Sequence, residues 1–135
     1  MQGNLRDERG AVAVEFALLV PLIVIILFAI TEFGIALSRM EVYTSAAREG
    51  ARYAAVDCRP DAVKCTPTLI ANRVRNAAIG YPISATPTAN RDCSVQANVG
   101  QQVTVSWTQT LTIKVPFLPT YNLTPTIAGT FRCES

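Results

Sequence analysis

The chain has 135 residues, half of them hydrophobic, with a formal net charge of +2 and no histidine. That length is one small domain plus whatever a segregated apolar stretch does. Two Lys and scattered Arg (Arg39, Arg48, Arg52, Arg59, Arg73, Arg75, Arg91, Arg132) form no basic patch, which argues against a nucleic-acid partner. Without His, the common catalytic triads and His-containing zinc sites are excluded.

The chain opens on a mixed-charge leader, MQGNLRDERG, followed by the apolar block Ala11 to Ile30, broken only by Glu15 and Pro21. A helix needs roughly 20 apolar residues to cross a hydrocarbon core, and this block has that length. A cleaved secretory signal fits poorly, because the leader carries acids and the block is longer than a usual apolar signal region. An uncleaved anchor is a second reading, in which Glu15 is an interfacial acid favoured by the helix dipole and snorkelling to the headgroups. The junction Gly10–Ala11–Val12–Ala13–Val14–Glu15–Phe16 supports a third. A short charged leader ending in Gly, with Glu at the fifth position of the helix that follows, resembles the type IV prepilin signal. The resemblance implies that a membrane aspartic peptidase cuts between Gly10 and Ala11 on the cytoplasmic side and leaves the helix in place. A buried acid needs a partner. The new amine of a neighbouring subunit would supply one, making Glu15 a registry device between subunits.

Helical periodicity continues beyond the block. Ile35, Met40, Val42, Tyr43, Ala46, Ala47, Gly50, Ala51, Tyr53 and Ala54 extend one apolar face. The expected element is a single helix from Ala11 to Val56, apolar in its first half and amphipathic in its second, with a kink at Pro21. Glu49 and Arg52 are spaced to pair on its surface. The small residues of SAAREGARYAA, Ala46, Ala47, Gly50 and Ala51 among them, permit close packing. Their partner is either another subunit or the chain's own distal half.

With both segments on the page, a closer resemblance appears. GAVAVEFALLVPLIVIILFAITEFG followed by REGARYAA is similar to the TadE-like family of tight-adherence (Flp) pilus systems. That family has Glu-Phe or Glu-Tyr after the cut, a VP within the membrane helix, an AREGARYA-like segment, and a short extracytoplasmic region of strands ending near an acidic residue, here TIAGTFRCES. The resemblance implies a non-enzymatic minor pilin or pseudopilin. Its cleavage pair is Gly10 and Ala11, and its recognition element is Glu15 with Phe16. Its expected partners are membrane lipid, other pilin or pseudopilin subunits, the assembly machinery and a prepilin peptidase. It would be a single-pass protein of the bacterial inner membrane with its C-terminal head outside the cytoplasm.

In the distal half, Thr66 or Thr68 is a candidate N-cap, Leu69, Ile70, Val74, Ala77 and Ala78 have helical spacing, and Gly80 is a stop. YPISATPTANRD reads as a loop. Cys93, Val95, Ala97 and Val99 alternate as a strand, with GQQ as a hairpin turn. Val103 to Val115 alternates apolar and polar over its whole length, with only Gln109 breaking the apolar side. That pattern predicts one long half-buried strand, its Thr-rich face in solvent. PFLPTYNLTP holds too many prolines for a central strand. Thr126 to Cys133 is expected to return to the sheet. The fold class is therefore α+β and pilin-like: a leader (1–10), a long helix (11–56) and an extracytoplasmic head (57–135) with a small antiparallel sheet and a short helix.

All four cysteines, Cys58, Cys65, Cys93 and Cys133, follow the apolar block, and none forms a C-x-x-C pair. Two disulfides in an oxidising compartment fit an even count. Of the three pairings, Cys58–Cys65 and Cys93–Cys133 suit the predicted elements best. Asp57 and Asp61 are close enough to hold a cation, although acids in a Pro-containing loop are commonly just solvated. No nucleophile–base pair, phosphate loop or cofactor motif occurs, so neither an enzyme nor a cofactor is expected. The competing function is an uncleaved anchor displaying a binding or sensing module.

Overall fold

The computed structural model describes residues 5–58 and 66–134, with side chains from residue 10 onward in the first of these stretches. Helix α1, Leu5–Val56, is a single element of 52 residues with Pro21 inside it, about 78 Å long at 1.5 Å per residue. It starts within the predicted leader and ends where expected. Helix α2, Pro67–Ala77, is capped by Thr66, whose side chain accepts from the Leu69 backbone N–H. Five strands follow: β1 (Thr88–Ala89), β2 (Gln102–Thr108), β3 (Leu111–Ile113), β4 (Tyr121–Leu123) and β5 (Thr126–Arg132).

β2 is the centre of a three-stranded antiparallel sheet ordered β1-β2-β5, and β3 pairs with β4 in a second. The predicted single strand is thus divided in two. The register shows how: Thr108 faces Thr126, Leu111 faces Leu123, and Ile113 faces Tyr121. Three residues forward on one side match three back on the other, so both ladders belong to one antiparallel ribbon in constant phase. The interruption is chemical. Gln109 occupies a core-facing position and is buried. Its Oε1 accepts from Trp107 Nε1 and the Ser84 backbone N–H, and its Nε2 donates to Pro82 O, Ser84 Oγ and Thr110 O. A buried amide must find such partners, and here they come from the segment before β1. Ser84 Oγ also accepts from Thr110 N–H, a backbone donor thereby directed to a side chain. Pro125 keeps the phase by accepting from Gln109 N–H.

Two other expectations are corrected. The segment YPISATPTANRD contains β1, whose Thr88 and Ala89 face Ser106 and Val105. The stretch from Cys93 to Val99 is not a strand but a turn with a short 3₁₀ helix, Gln96–Asn98. Asp92 folds it locally: its Oδ1 accepts from Ser94 N–H, and its carbonyl accepts from Asn98 Nδ2. With β1 on one side of β2 and β5 on the other, β2 itself has no side left to pair with a 93–99 strand. The last strand does return to the sheet, and Cys133 N–H donates to Gln101 O beyond its end.

The core forms where this sheet lies on α1. Val103, Val105 and Trp107 are buried on one face of β2, while Gln102, Thr104, Ser106 and Thr108 are exposed or half-buried on the other. Tyr43 closes one end, edge-on to Trp107 at 6.4 Å between ring centroids. The Cys93–Cys133 disulfide closes the other. It spans 40 residues, and a loop of that size stabilises a fold by about 4 kcal/mol in the chain-entropy model. The Cys58–Cys65 pairing involves Cys65, which lies outside the described residues, as does Asp61.

Two glycines set the distance between the layers. A Cβ on Gly129 of β5 would overlap the backbone of Ala47 and Arg48 in α1. A Cβ on Gly50 would overlap a Val74 methyl of α2. Gly129→Ala is expected to cost about 3 kcal/mol, the upper end for overpacking, because backbone cannot move aside. Gly50→Ala should cost less, since the obstacle is a side chain and an alanine regains nearly 1 kcal/mol of helix propensity. Urea unfolding in detergent, followed by fluorescence of Trp107, the single tryptophan, checks that order.

Candidate functional site

The candidate site residues lie along α1, which has two distinct halves. From Gly10 to Leu37 its apolar side chains are largely exposed, Phe16 at 66% and Leu18 at 74% among them. The most apolar 18-residue window has a mean hydropathy of 2.9 and is 0% buried. An exposed apolar surface of this size calls for lipid or protein to cover it. Gly10 and Ala11 sit on the exposed helix, and Gly10 has open space around it. Glu15 and Phe16 are adjacent and exposed, about seven helical turns before Met40, where α1 first packs against the core of the head. The residues expected from the resemblance to form a cleavage pair, Gly10 and Ala11, and a recognition element, Glu15 and Phe16, thus lie together on one bare stretch of helix.

The second half differs. Ala46, Ala47, Gly50, Ala51, Ala54 and Ala55 are buried. Their partners are β5 at Ala47, and α2 and β2 at Gly50. Of the two packing partners open to these small residues, the chain's own head occupies this seam. Sequence reading found the seam but not Gly129, its counterpart. A glycine within an alternating strand is the available signal, because it marks close backbone approach.

A charged clasp borders the seam. Glu49 Oε2 accepts from Arg52 Nε at 2.9 Å, and Glu49 Oε1 from Arg73 Nη2 of α2 at 3.0 Å. The Arg52 contact was expected from spacing; Arg73, 24 residues away, was not. The Arg73 guanidinium also lies 5.8 Å from the Tyr53 ring centroid. Hydrogen bonding to Arg52, reinforced by Arg73 and opposed by partial burial, holds the Glu49 carboxyl below its usual range. Glu49 in turn raises the Arg52 guanidinium. At the lower end of the seam, burial pushes the Tyr43 phenol up, with Arg39 opposing and Tyr81 reinforcing. The phenol stays protonated and donates to Pro82 O at 3.0 Å.

Among the described residues, no cluster of three or more His, Cys, Asp or Glu side chains could hold a metal. A groove of about 390 Å³ opens between α2 and β1, lined by Ala54, Ile70, Asn90 and Cys93 among others.

These features define a class: an α+β protein with a long apolar anchor helix and a disulfide-tied head built on that helix. Residues 10–52 match the model of the TadE-like protein family, the family that the sequence resembles. The match runs from the junction glycine into the seam and covers 43 of the 135 residues, so over that third the chain is similar to TadE-like proteins. No curated protein and no solved structure matches the chain.

The clasp predicts a pH dependence. A carboxyl lowered on folding contributes stability above its unfolded pKa and loses it as pH falls through the folded value. Wild-type stability should therefore decline below about pH 5 more steeply than that of Glu49→Gln. Urea midpoints at several pH values test this, and because the clasp is part-exposed, high salt should narrow the difference.

Proposed function

We propose that this chain is a prepilin-like minor pilin or pseudopilin of a tight-adherence (Flp) pilus, processed between Gly10 and Ala11 and retained in the inner membrane by α1. The observation that carries this reading is the division of α1. Its upper half is occupied by the chain's own head. Its lower half is bare and apolar, and the block Ala11–Ile30 within it holds a single acid, Glu15, in a stretch that matches the TadE-like family.

In lipid a lone acid is costly, roughly 3 kcal/mol at the bilayer centre on insertion scales. An interfacial Glu escapes most of that cost. A Glu drawn into a bundle of neighbouring helices needs a cation, and cleavage at Gly10 creates one on Ala11 of each subunit. Pairing between Glu15 of one subunit and the amine of another would then fix the axial step between subunits. The head, larger than a helix alone requires, suits a minor component better than a repeating major one. The order of events would be insertion, removal of the leader by a prepilin peptidase, then lateral recruitment through the lower half of α1.

The uncleaved anchor makes different demands, because it needs neither the Gly10 junction nor Glu15. Intact-mass measurement of the protein purified from its host membrane separates the two. Cleavage predicts a chain beginning at Ala11, and Met1 retained in cells that carry the peptidase would overturn it. Glu15→Ala is expected to leave head stability unchanged while removing pilus assembly.

A further inference from the structure

The β2–β5 ribbon has a direction relative to α1. Val105 approaches Gly50, while Trp107, two residues further on, meets Tyr43, seven residues earlier in the helix. β2 therefore descends α1 toward its apolar half. The ribbon keeps its phase through Gln109, and Leu111 of β3 remains in the core against α1. What lies past β3 is the loop Lys114–Thr120, and it points toward the membrane end of the molecule.

The distances agree. From Trp107 to Ile113 the ribbon covers about 20 Å at 3.3 Å per residue. From Tyr43 down to Ile30, the last residue of the apolar block, α1 covers about 20 Å as well. The loop beyond Ile113 therefore comes to the level at which α1 enters hydrocarbon.

Its chemistry suits that level. Leu118 N–H donates to Val115 O, Pro116 fills the second turn position, and Phe117 takes φ +66° at the third. That is the pattern of a type II turn, whose third position normally holds Gly. Gly would form this turn without strain and without exposing a ring. Instead Phe117 is 88% exposed, beside Leu118 at 49% and Tyr121 at 56%. Lys114, also exposed, precedes the turn. Apolar residues at a tip, with an aromatic hydroxyl and a lysine behind them, form the arrangement found where protein meets the headgroup region.

We infer that the β3–β4 turn is a second membrane contact: Phe117 and Leu118 enter the outer leaflet of the bilayer crossed by α1, with Lys114 and Tyr121 at headgroup level. The head is then fixed at two points rather than one, which sets its tilt and rotation about α1 before it meets other subunits. The inference rests on α1 spanning the membrane, and not on cleavage or on a pilus.

Bromolipid quenching tests it on the full chain in nanodiscs of phosphatidylcholine and phosphatidylglycerol brominated high in the acyl chain. Trp107, buried in the head, serves as the internal reference. Phe117→Trp should lose about half of its total emission to the bromines, since one of two tryptophans then lies at the interface. Leu118→Trp should behave alike, which guards against a local effect of either substitution. Leu22→Trp, on the apolar half of α1, reports the anchor separately. Quenching at Leu22→Trp but not at Phe117→Trp or Leu118→Trp overturns the turn contact alone. In that case, quenching by acrylamide in water would show a solvated tip, and a blue-shifted emission insensitive to both quenchers would show one covered by another copy of the chain. An unquenched Leu22→Trp overturns the anchor and the inference with it.

Discussion

The contact between the backbone of α1 at Ala47 and the backbone of β5 at Gly129 is the constraint on which the head depends. A sheet normally stands off a helix by the depth of its side chains. Here the missing Cβ at Gly129 lets the strand lie on the helix itself. Small residues follow from that spacing: Ala46, Ala47, Gly50 and Ala51 leave no room between layers, and the larger Val74, Val103, Val105 and Trp107 fill the flanks. Close packing of this kind tolerates little change in volume. A seam of the type that membrane helices use to meet one another serves here to hold a helix and a sheet of the same chain.

That arrangement divides one helix between two tasks. Its upper part is the central pillar of the head, tied by Glu49 to Arg73 of α2 and by Tyr43 to Pro82. Its lower part keeps an uncovered apolar surface and the junction at Gly10. The two parts are one continuous helix, Leu5–Val56.

Much of this was legible in the sequence. The 20-residue block, the unbroken periodicity to Val56 and the small-residue cluster predict the long helix correctly, because helix signals are local. The alternation from Val103 to Val115 also reads correctly as a half-buried ribbon. Its division at Gln109 did not show, because the partners of Gln109 come from residues 82–84, some 25 positions away. The same reason hid β1, whose two residues are a strand only by pairing with β2. The reverse error occurred at Cys93 to Val99, where real alternation lost to Asp92 capping its own turn. Gly10, Ala11, Glu15 and Phe16 stood out through their order along the chain. The seam's occupant, in contrast, required the fold: Gly129 lies 82 residues beyond Ala47, the alanine it meets.

Amide hydrogen exchange on the isolated chain in nanodiscs tests the division of α1 most directly. The account predicts that amides from Tyr43 to Ala55 exchange only when β2 and β5 do, as one cooperative unit with the head. Amides in that segment exchanging freely while β2 and β5 remain protected would contradict it, since the seam would then stand open in the single chain.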